Sequence, residues 1–227
     1  MALIKTENLT KIYSDGKVQV EALKDVNLEI EAGEFIVVAG PSGSGKTTLL
    51  NLIGGLDKPT YGKVYLEGID ISGLKKDQMA DLRLRKIGFI FQAYNLIPVL
   101  TAFENVELPL VLLNVSEGER RKRVMEVLNA LGIGELADKR PNEISGGQQQ
   151  RVAVARAIVT NPSIVLADEP TAHLDSKTGA MLIDIMQEMN RKRGITFVIC
   201  SHDPQVIQRA GRLIKLRDGR IEDDKKF

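Results

Sequence analysis

The chain has 227 residues, 43% of them hydrophobic and 27% charged, and its 31 Lys plus Arg stand against 30 Asp plus Glu for a net charge of +1. That length suffices for a sizeable core, and the composition excludes a disordered or fibrous chain. Without a basic excess, binding of nucleic acid through its phosphate backbone is not expected.

The N-terminal MALIKTENL has no basic segment leading into a long apolar run, and nowhere does the chain reach the ~18 apolar residues of a membrane helix. The chain is therefore expected neither to leave the cell nor to span a membrane by itself. The first third reads as short strands. Ala22 to Ile30 alternates with interruptions, and Gly33 introduces Phe35-Ile36-Val37-Val38-Ala39, an apolar run that suits a strand buried on both faces. Lys46 to Ile53 continues as a helix. After the Tyr61-Gly62 turn, Val64-Tyr65-Leu66 and Ile69-Asp70-Ile71 form a small antiparallel sheet, then a charged helix runs through Arg83 to a buried strand, Ile87 to Phe91.

From Ala102 to about Thr160 the pattern is helical. Ser116-Glu117-Gly118-Glu119 fits a capping box, with Val124, Leu128 and Leu131 at helical spacing behind it. The strand Ile164 to Ala167 follows, then a helix carrying Met181, Leu182, Ile185, Met186 and Met189 on one stripe up to a stop at Gly194; methionines so spaced predict core packing rather than a cofactor contact. A strand from Ile195 to Cys200, a short helix after Pro204 and an Asp218-Gly219 hairpin complete the chain. Cys200, the only cysteine, has no disulfide partner in the chain and apolar neighbours, which suits a reducing cytosol. The whole reads as one α/β domain over 1–227: an α/β core over about 1–92 and 161–227 with an N-terminal antiparallel β subdomain, and an inserted α-helical subdomain over about 93–160.

Gly40-Pro41-Ser42-Gly43-Ser44-Gly45-Lys46-Thr47, followed by Thr48, matches the phosphate-binding P-loop and lies between a buried strand and a helix, as that motif requires. Glycines let backbone N–H groups curl around phosphate oxygens, the helix start adds favourable dipole charge, Lys46 reaches the terminal phosphates and the Thr47 hydroxyl ligates magnesium. Asp168 and Glu169 end another apolar strand, where a parallel sheet brings them beside the loop. An acidic pair after a strand is ordinarily plain surface; beside a P-loop, Asp168 would hold Mg2+ and Glu169 would orient or deprotonate a water. His202 and Gln92 follow two further strand ends and reach the same crevice, Gln92 as a second contact to magnesium and to the water. A lone histidine or a surface glutamine would otherwise need no explanation.

Ser145-Gly146-Gly147-Gln148 supports two readings. Ser-x-x-Gln is a capping box, and Val152, Ala153, Ala155, Ile158 and Val159 supply an apolar helix face behind it. Capping does not call for two glycines, however, and a helix start with bare amides is an anion site.

The P-loop, Gln92, Ser145-Gly146-Gly147-Gln148, Asp168-Glu169 and His202, in that order, resemble the nucleotide-binding subunit of ABC transporters over essentially the whole chain. Phe91-Gln92-Ala93-Tyr94-Asn95-Leu96-Ile97-Pro98, Glu104-Asn105-Val106-Glu107-Leu108-Pro109 and Gln148-Gln149-Gln150-Arg151 are similar to the MacB/LolD type. The resemblance implies a P-loop NTPase fold of RecA-like core and an ATPase that uses ATP and Mg2+. It also implies a head-to-tail homodimer in which Ser145, Gly146, Gly147 and Gln148 of one copy cover the ATP held by the other's P-loop. Asp175 is similar to the loop that crosses between the two sites, and Tyr13 matches an aromatic that stacks on adenine, though a half-buried strand tyrosine is the plain alternative. Ile144 departs from the family's usual Leu, and His173 stands where relatives carry a small or polar residue. The implied partner is an integral membrane permease, docking near residues 92–113, where Leu96, Ile97, Val99 and Leu100 crowd; these residues would otherwise fill the helical lobe's own core. The cassette would then sit in the cytoplasm on the inner face of the membrane, coupled to export or lipoprotein extraction. An FtsE-like ATPase transmitting force through a non-transporting membrane protein in cell division is the alternative.

Overall fold

The computed structural model describes residues 2–14, 16 and 18–227. In chain order, β1 (Ile4–Ser14) and β2 (Gln19–Ile30) make a long antiparallel pair, β3 (Phe35–Ala39) and α1 (Lys46–Ile53) flank a glycine-rich loop, β4 (Tyr61–Leu66) and β5 (Ile69–Asp70) form a hairpin, and α2 (Lys76–Lys86) leads into β6 (Ile87–Ile90). Then come the helices α3 (Ala102–Leu112), α4 (Glu117–Ala130) and α5 (Gly146–Ile158). The chain finishes with β7 (Ile164–Asp168), α6 (Ser176–Arg193), β8 (Thr196–Cys200), α7 (Pro204–Ile207), β9 (Arg212–Arg217) and β10 (Arg220–Lys226).

Two sheets result. The smaller has the order β2-β1-β4-β5 and is antiparallel throughout. The larger has the order β10-β9-β3-β8-β7-β6, parallel except for the β9–β10 hairpin. Alternation along the central strands divides the apolar side chains between two cores. Ile36, Val38, Ile164, Leu166, Val198 and Cys200 face the smaller sheet and α1. Val37, Val165, Ala167, Phe197 and Ile199 face the other way, in one apolar cluster with Val106 and Leu110 of α3, Val124 and Leu128 of α4, and Val152 and Ile158 of α5. Burial on both faces explains why these strands read as unbroken apolar runs.

Local signals account for most boundaries. Thr101 starts α3 with a full capping box, its hydroxyl accepting from Glu104 N–H at 3.1 Å while the Glu104 carboxylate accepts from Thr101 N–H at 2.8 Å. Gly194, at φ 67°, ends α6 in the left-handed conformation that glycine adopts without strain. The β9–β10 turn places Asp218 and Gly219 at φ 47° and 78°, as an Asp-Gly two-residue turn demands. Two expectations fail. Ser116 does precede α4, but its side chain makes no capping bond, and the Glu119 carboxylate pairs with Arg123 one turn on, at 2.7 Å, rather than reaching back to the Ser116 N–H. Met181 is 44% exposed: the inward face of α6 is Leu182, Ile183, Met186 and Met189, and Met181 falls on its flank.

Candidate nucleotide-binding site

Four neighbouring parallel strands, β3, β8, β7 and β6, end at the same edge of the larger sheet and deliver the loop Gly40–Gly45, His202, Asp168 with Glu169, and Gln92 to one crevice. Ligands of open α/β sheets bind at such carboxyl edges. A cavity of about 890 Å³ lies there, lined by Pro41, Ser42, Gly43, Gly45, Lys46, Thr47 and Thr48 together with Gln92, Asp168, Glu169 and His202.

The loop is held open from behind. A Cβ on Gly40 would collide with the Leu216 carbonyl of β9, and Gly219 N–H donates to Ser44 O at 3.1 Å, so the C-terminal hairpin braces the loop. Gly45, at φ 102°, caps α1 without a side chain, and no acidic residue occupies the helix's first turn. The positive end of α1 is thereby left for an anion. Lys46 Nζ donates to Gly40 O at 2.8 Å and to Pro41 O at 3.0 Å.

Thr47 Oγ1 donates to Asp168 Oδ2 at 2.9 Å, whereas Asp168 Oδ1 is buried with no hydrogen-bond partner among the described residues; the buried Ser44 Oγ is likewise unpartnered. Burial first, then the neighbouring Glu169 charge, pushes the Asp168 carboxyl above its ordinary range, against the opposing pull of Thr47 and Lys46. An orphaned buried carboxylate oxygen beside a threonine hydroxyl fits a divalent cation, the hard oxygen-seeking kind. Glu169 sits at φ 46°, a strained conformation fixed by its N–H donating to Cys200 O at 2.9 Å. Its carboxylate meets His202 Nδ1 at 2.8 Å and accepts from Ser201 Oγ at 3.4 Å. Gln92 is exposed at the rim of the cavity, and its backbone carbonyl lies 3.2 Å from His173 Nδ1.

The remaining sequence candidates do not line this cavity. Ser145 starts α5, its hydroxyl accepting from Gln148 N–H at 3.4 Å while Gln148 Oε1 accepts from Ser145 N–H at 2.8 Å. The capping reading therefore holds, and the two glycines have a packing reason that sequence could not reveal. A Cβ on Gly146 would lie 2.9 Å from the Tyr94 hydroxyl, and one on Gly147 2.5 Å from Thr178 Cγ2. Asp175 caps α6, accepting from Lys177 N–H at 3.1 Å, Thr178 N–H at 3.0 Å and the Thr178 hydroxyl at 2.6 Å. The Tyr13 hydroxyl donates to Asp57 Oδ2 at 2.9 Å. Of the crowded apolar residues, Val99 is 74% exposed, Ile97 and Leu100 are half-buried, and Leu96 packs against the core. Sequence gave no sign that Glu21, Ala22, Lys24, Asp218 and Gly219 also wall the cavity. Only the pairing of β3 with β9 brings the hairpin there.

A glycine loop between a buried parallel strand and a helix, with a half-buried aspartate two strands away, defines a P-loop NTPase. The sequence profile described as "ABC transporter" matches residues 23–172. The "Uncharacterized ABC transporter ATP-binding protein MJ0796" of Methanocaldococcus jannaschii is 50% identical over 229 residues, 99% of this chain and 97% of that protein. The "Macrolide export ATP-binding/permease protein MacB" of Brucella melitensis is 47% identical over 222 residues; the match spans 98% of this chain but 34% of that longer protein. Among solved structures, a dimeric post-hydrolysis state of the MJ0796 cassette bound to ADP and Pi superposes with a TM-score of 0.91 at 49% identity, covering 98% of each chain. The chain belongs to the ABC transporter family, as an ATP-binding ATPase cassette. No helix among the described residues is long and apolar enough to cross a membrane.

Proposed function

We propose that two copies of this chain pair head to tail around two ATP molecules, and that their closing and opening drives a separate membrane permease of the MacB/LolD type, for export or for lipoprotein extraction. One observation carries the reading. The start of α5, with its bare glycine amides, does not line the phosphate cavity of its own chain. An anion-binding helix start standing apart from the anion's cavity is explained if it serves the cavity of a second copy. The MJ0796 cassette, described as dimeric, supports this.

Each ATP would lie with its triphosphate on the loop amides and on Lys46, which exchanges the Gly40 and Pro41 carbonyls for phosphate oxygens. Tyr13 stacks on the adenine. Ser145 and Gly147 of the other copy close over the γ-phosphate, with Gly146 and Gln148 beside them, and Asp175 stands at the crossing between the two halves. Thr47, Asp168 and Gln92 would hold Mg2+, which when bound neutralises charge on the phosphate oxygens. Glu169 accepts the proton of the attacking water, and His202, at 2.8 Å, holds that carboxylate in place. Cleavage removes the γ-phosphate contacts that bridge the two copies, so the pair opens.

In this reading the α/β core, about 1–92 and 161–227, binds the triphosphate, and the helical part, about 93–160, presents α5 and the permease surface. A groove of about 310 Å³ between β6 and α3, lined by Leu84, Phe89, Phe91, Asn95, Pro109 and Arg156, supports docking of a short permease helix near residues 92–113. Val99 and Leu112, in the same stretch of sequence, are exposed as well. The 47% identity to a protein described as a joined ATP-binding and permease chain supports the MacB type and a seat on the inner membrane face.

Glu169→Gln is expected to bind ATP, to lose about 10²–10⁴-fold in turnover, and to elute as a dimer in ATP on size-exclusion chromatography. A monomer under saturating ATP would falsify the shared site. Ser145→Arg is expected to stay monomeric while still binding ATP.

A further inference from the structure

The ring of Tyr13 is built into a cluster that the phosphate chemistry does not use. Its hydroxyl donates to Asp57 Oδ2 at 2.9 Å, and Lys11 Nζ donates to Asp57 Oδ1 and to Lys58 O, both at 2.8 Å. Lys11 Nζ also lies 4.8 Å from the centroid of the Tyr13 ring. The Lys11 side chain is only 13% exposed, so its ammonium is enclosed between a carboxylate, a carbonyl and one face of the ring. Tyr13 itself remains 41% exposed. Lys11 thus caps one ring face, while the residue as a whole keeps solvent access.

The cluster is also tied to α1. Asp57 N–H donates to Asn51 O at 3.2 Å, and the Thr48 hydroxyl, which lines the phosphate cavity, interacts with the Tyr13 phenol. A cation behind an aromatic ring draws its π density away from the open face, which then stacks better on an electron-rich heterocycle.

We infer that Asp57 and Lys11 are positioning residues for the nucleobase: they fix Tyr13 as a one-sided platform whose open face receives adenine, in register with the phosphate loop. This rests on Tyr13 being the adenine contact. Asp57 sets the ring's angle through the hydroxyl, and Lys11 closes the face that would otherwise compete.

The test compares ATP with inorganic tripolyphosphate, which has no base, on the full chain. Asp57→Asn keeps the shape and loses the charge; it is expected to raise KM and Kd for ATP about 3- to 10-fold, a part of the full stacking contribution. The kcat at saturation and the Kd for tripolyphosphate should hold within about twofold. Lys11→Met, a second route should Asp57→Asn not fold, is expected to do the same. Tyr13→Phe, which keeps the ring and removes the hydroxyl, should raise KM similarly, and the Asp57→Asn/Tyr13→Phe double variant should be no worse than the poorer single. Multiplying effects, or tripolyphosphate weakened as much as ATP, would overturn the inference. If Tyr13→Ala raises KM for ATP while Asp57→Asn and Lys11→Met do not, the positioning role alone is wrong; if Tyr13→Ala changes nothing, the adenine contact itself is wrong.

Discussion

The carboxylate of Asp168 is held in two unequal halves, one oxygen bonded to Thr47 Oγ1 and the other buried without a partner among the described residues. Desolvation makes its charged form costly, so without nucleotide and metal this residue works against the fold. An unfolded aspartate titrates near 3.8 and the folded one higher, so the folded state holds its proton more tightly. Stability from this group is therefore lost as pH rises from about 3.8 through the raised folded value, and stays lost at neutral pH. Asp168→Asn is expected to raise the melting temperature of the nucleotide-free chain at pH 7 by about 1–3 °C while weakening Mg-dependent ATP binding. A lowered melting temperature in calorimetry would remove the desolvation account. Lys46, Thr47 and Asp168 were legible in the sequence because a fixed spacing follows a buried strand. Asp57 was not: a lone aspartate in a turn looks like solvated surface until β1 and α1 are seen to converge on it.

At the scale of the element, the start of α5 shows how one motif carries two requirements. Its capping box is readable from Ser145 and Gln148, but the demand for glycine at the second helical position comes from α6, across the chain. Gly147→Ala is expected to destabilise the nucleotide-free chain by about 1–3 kcal/mol through the clash with Thr178 Cγ2. Thr178→Ser removes that methyl and should restore most of the loss in urea denaturation; no rescue would place the cause elsewhere. Periodicity alone placed Met181 with its neighbours on α6, since a stripe reports spacing and not which flank the sheet reaches. In the same way Ser116 carried the sequence signature of a capping box, yet its hydroxyl makes no cap bond and the Glu119 carboxylate pairs with Arg123 instead. Local patterns thus located these helices well and their side-chain partners poorly.

Over the whole molecule, the alternating faces of β3, β7 and β8 tie two apolar cores to the same backbone, so neither core is expected to melt alone. Phe197→Ala, in the larger cluster, should cost about 3–5 kcal/mol and still give one urea transition by circular dichroism; two separated transitions would show the cores to be independent. The unbroken apolar runs announced buried strands, and so an α/β sheet. Strand order was beyond reach, because β3 takes its neighbours β8 and β9 from distant sequence and only packing selects them. That order has a bearing on synthesis. The hairpin that backs the phosphate loop, through Leu216 and Gly219, is translated long after Lys46 and Thr47 have left the ribosome. Until that hairpin docks, a growing chain holds Lys46 and Thr47 without their brace, so nucleotide binding by nascent chains is expected to appear only once Gly219 has emerged.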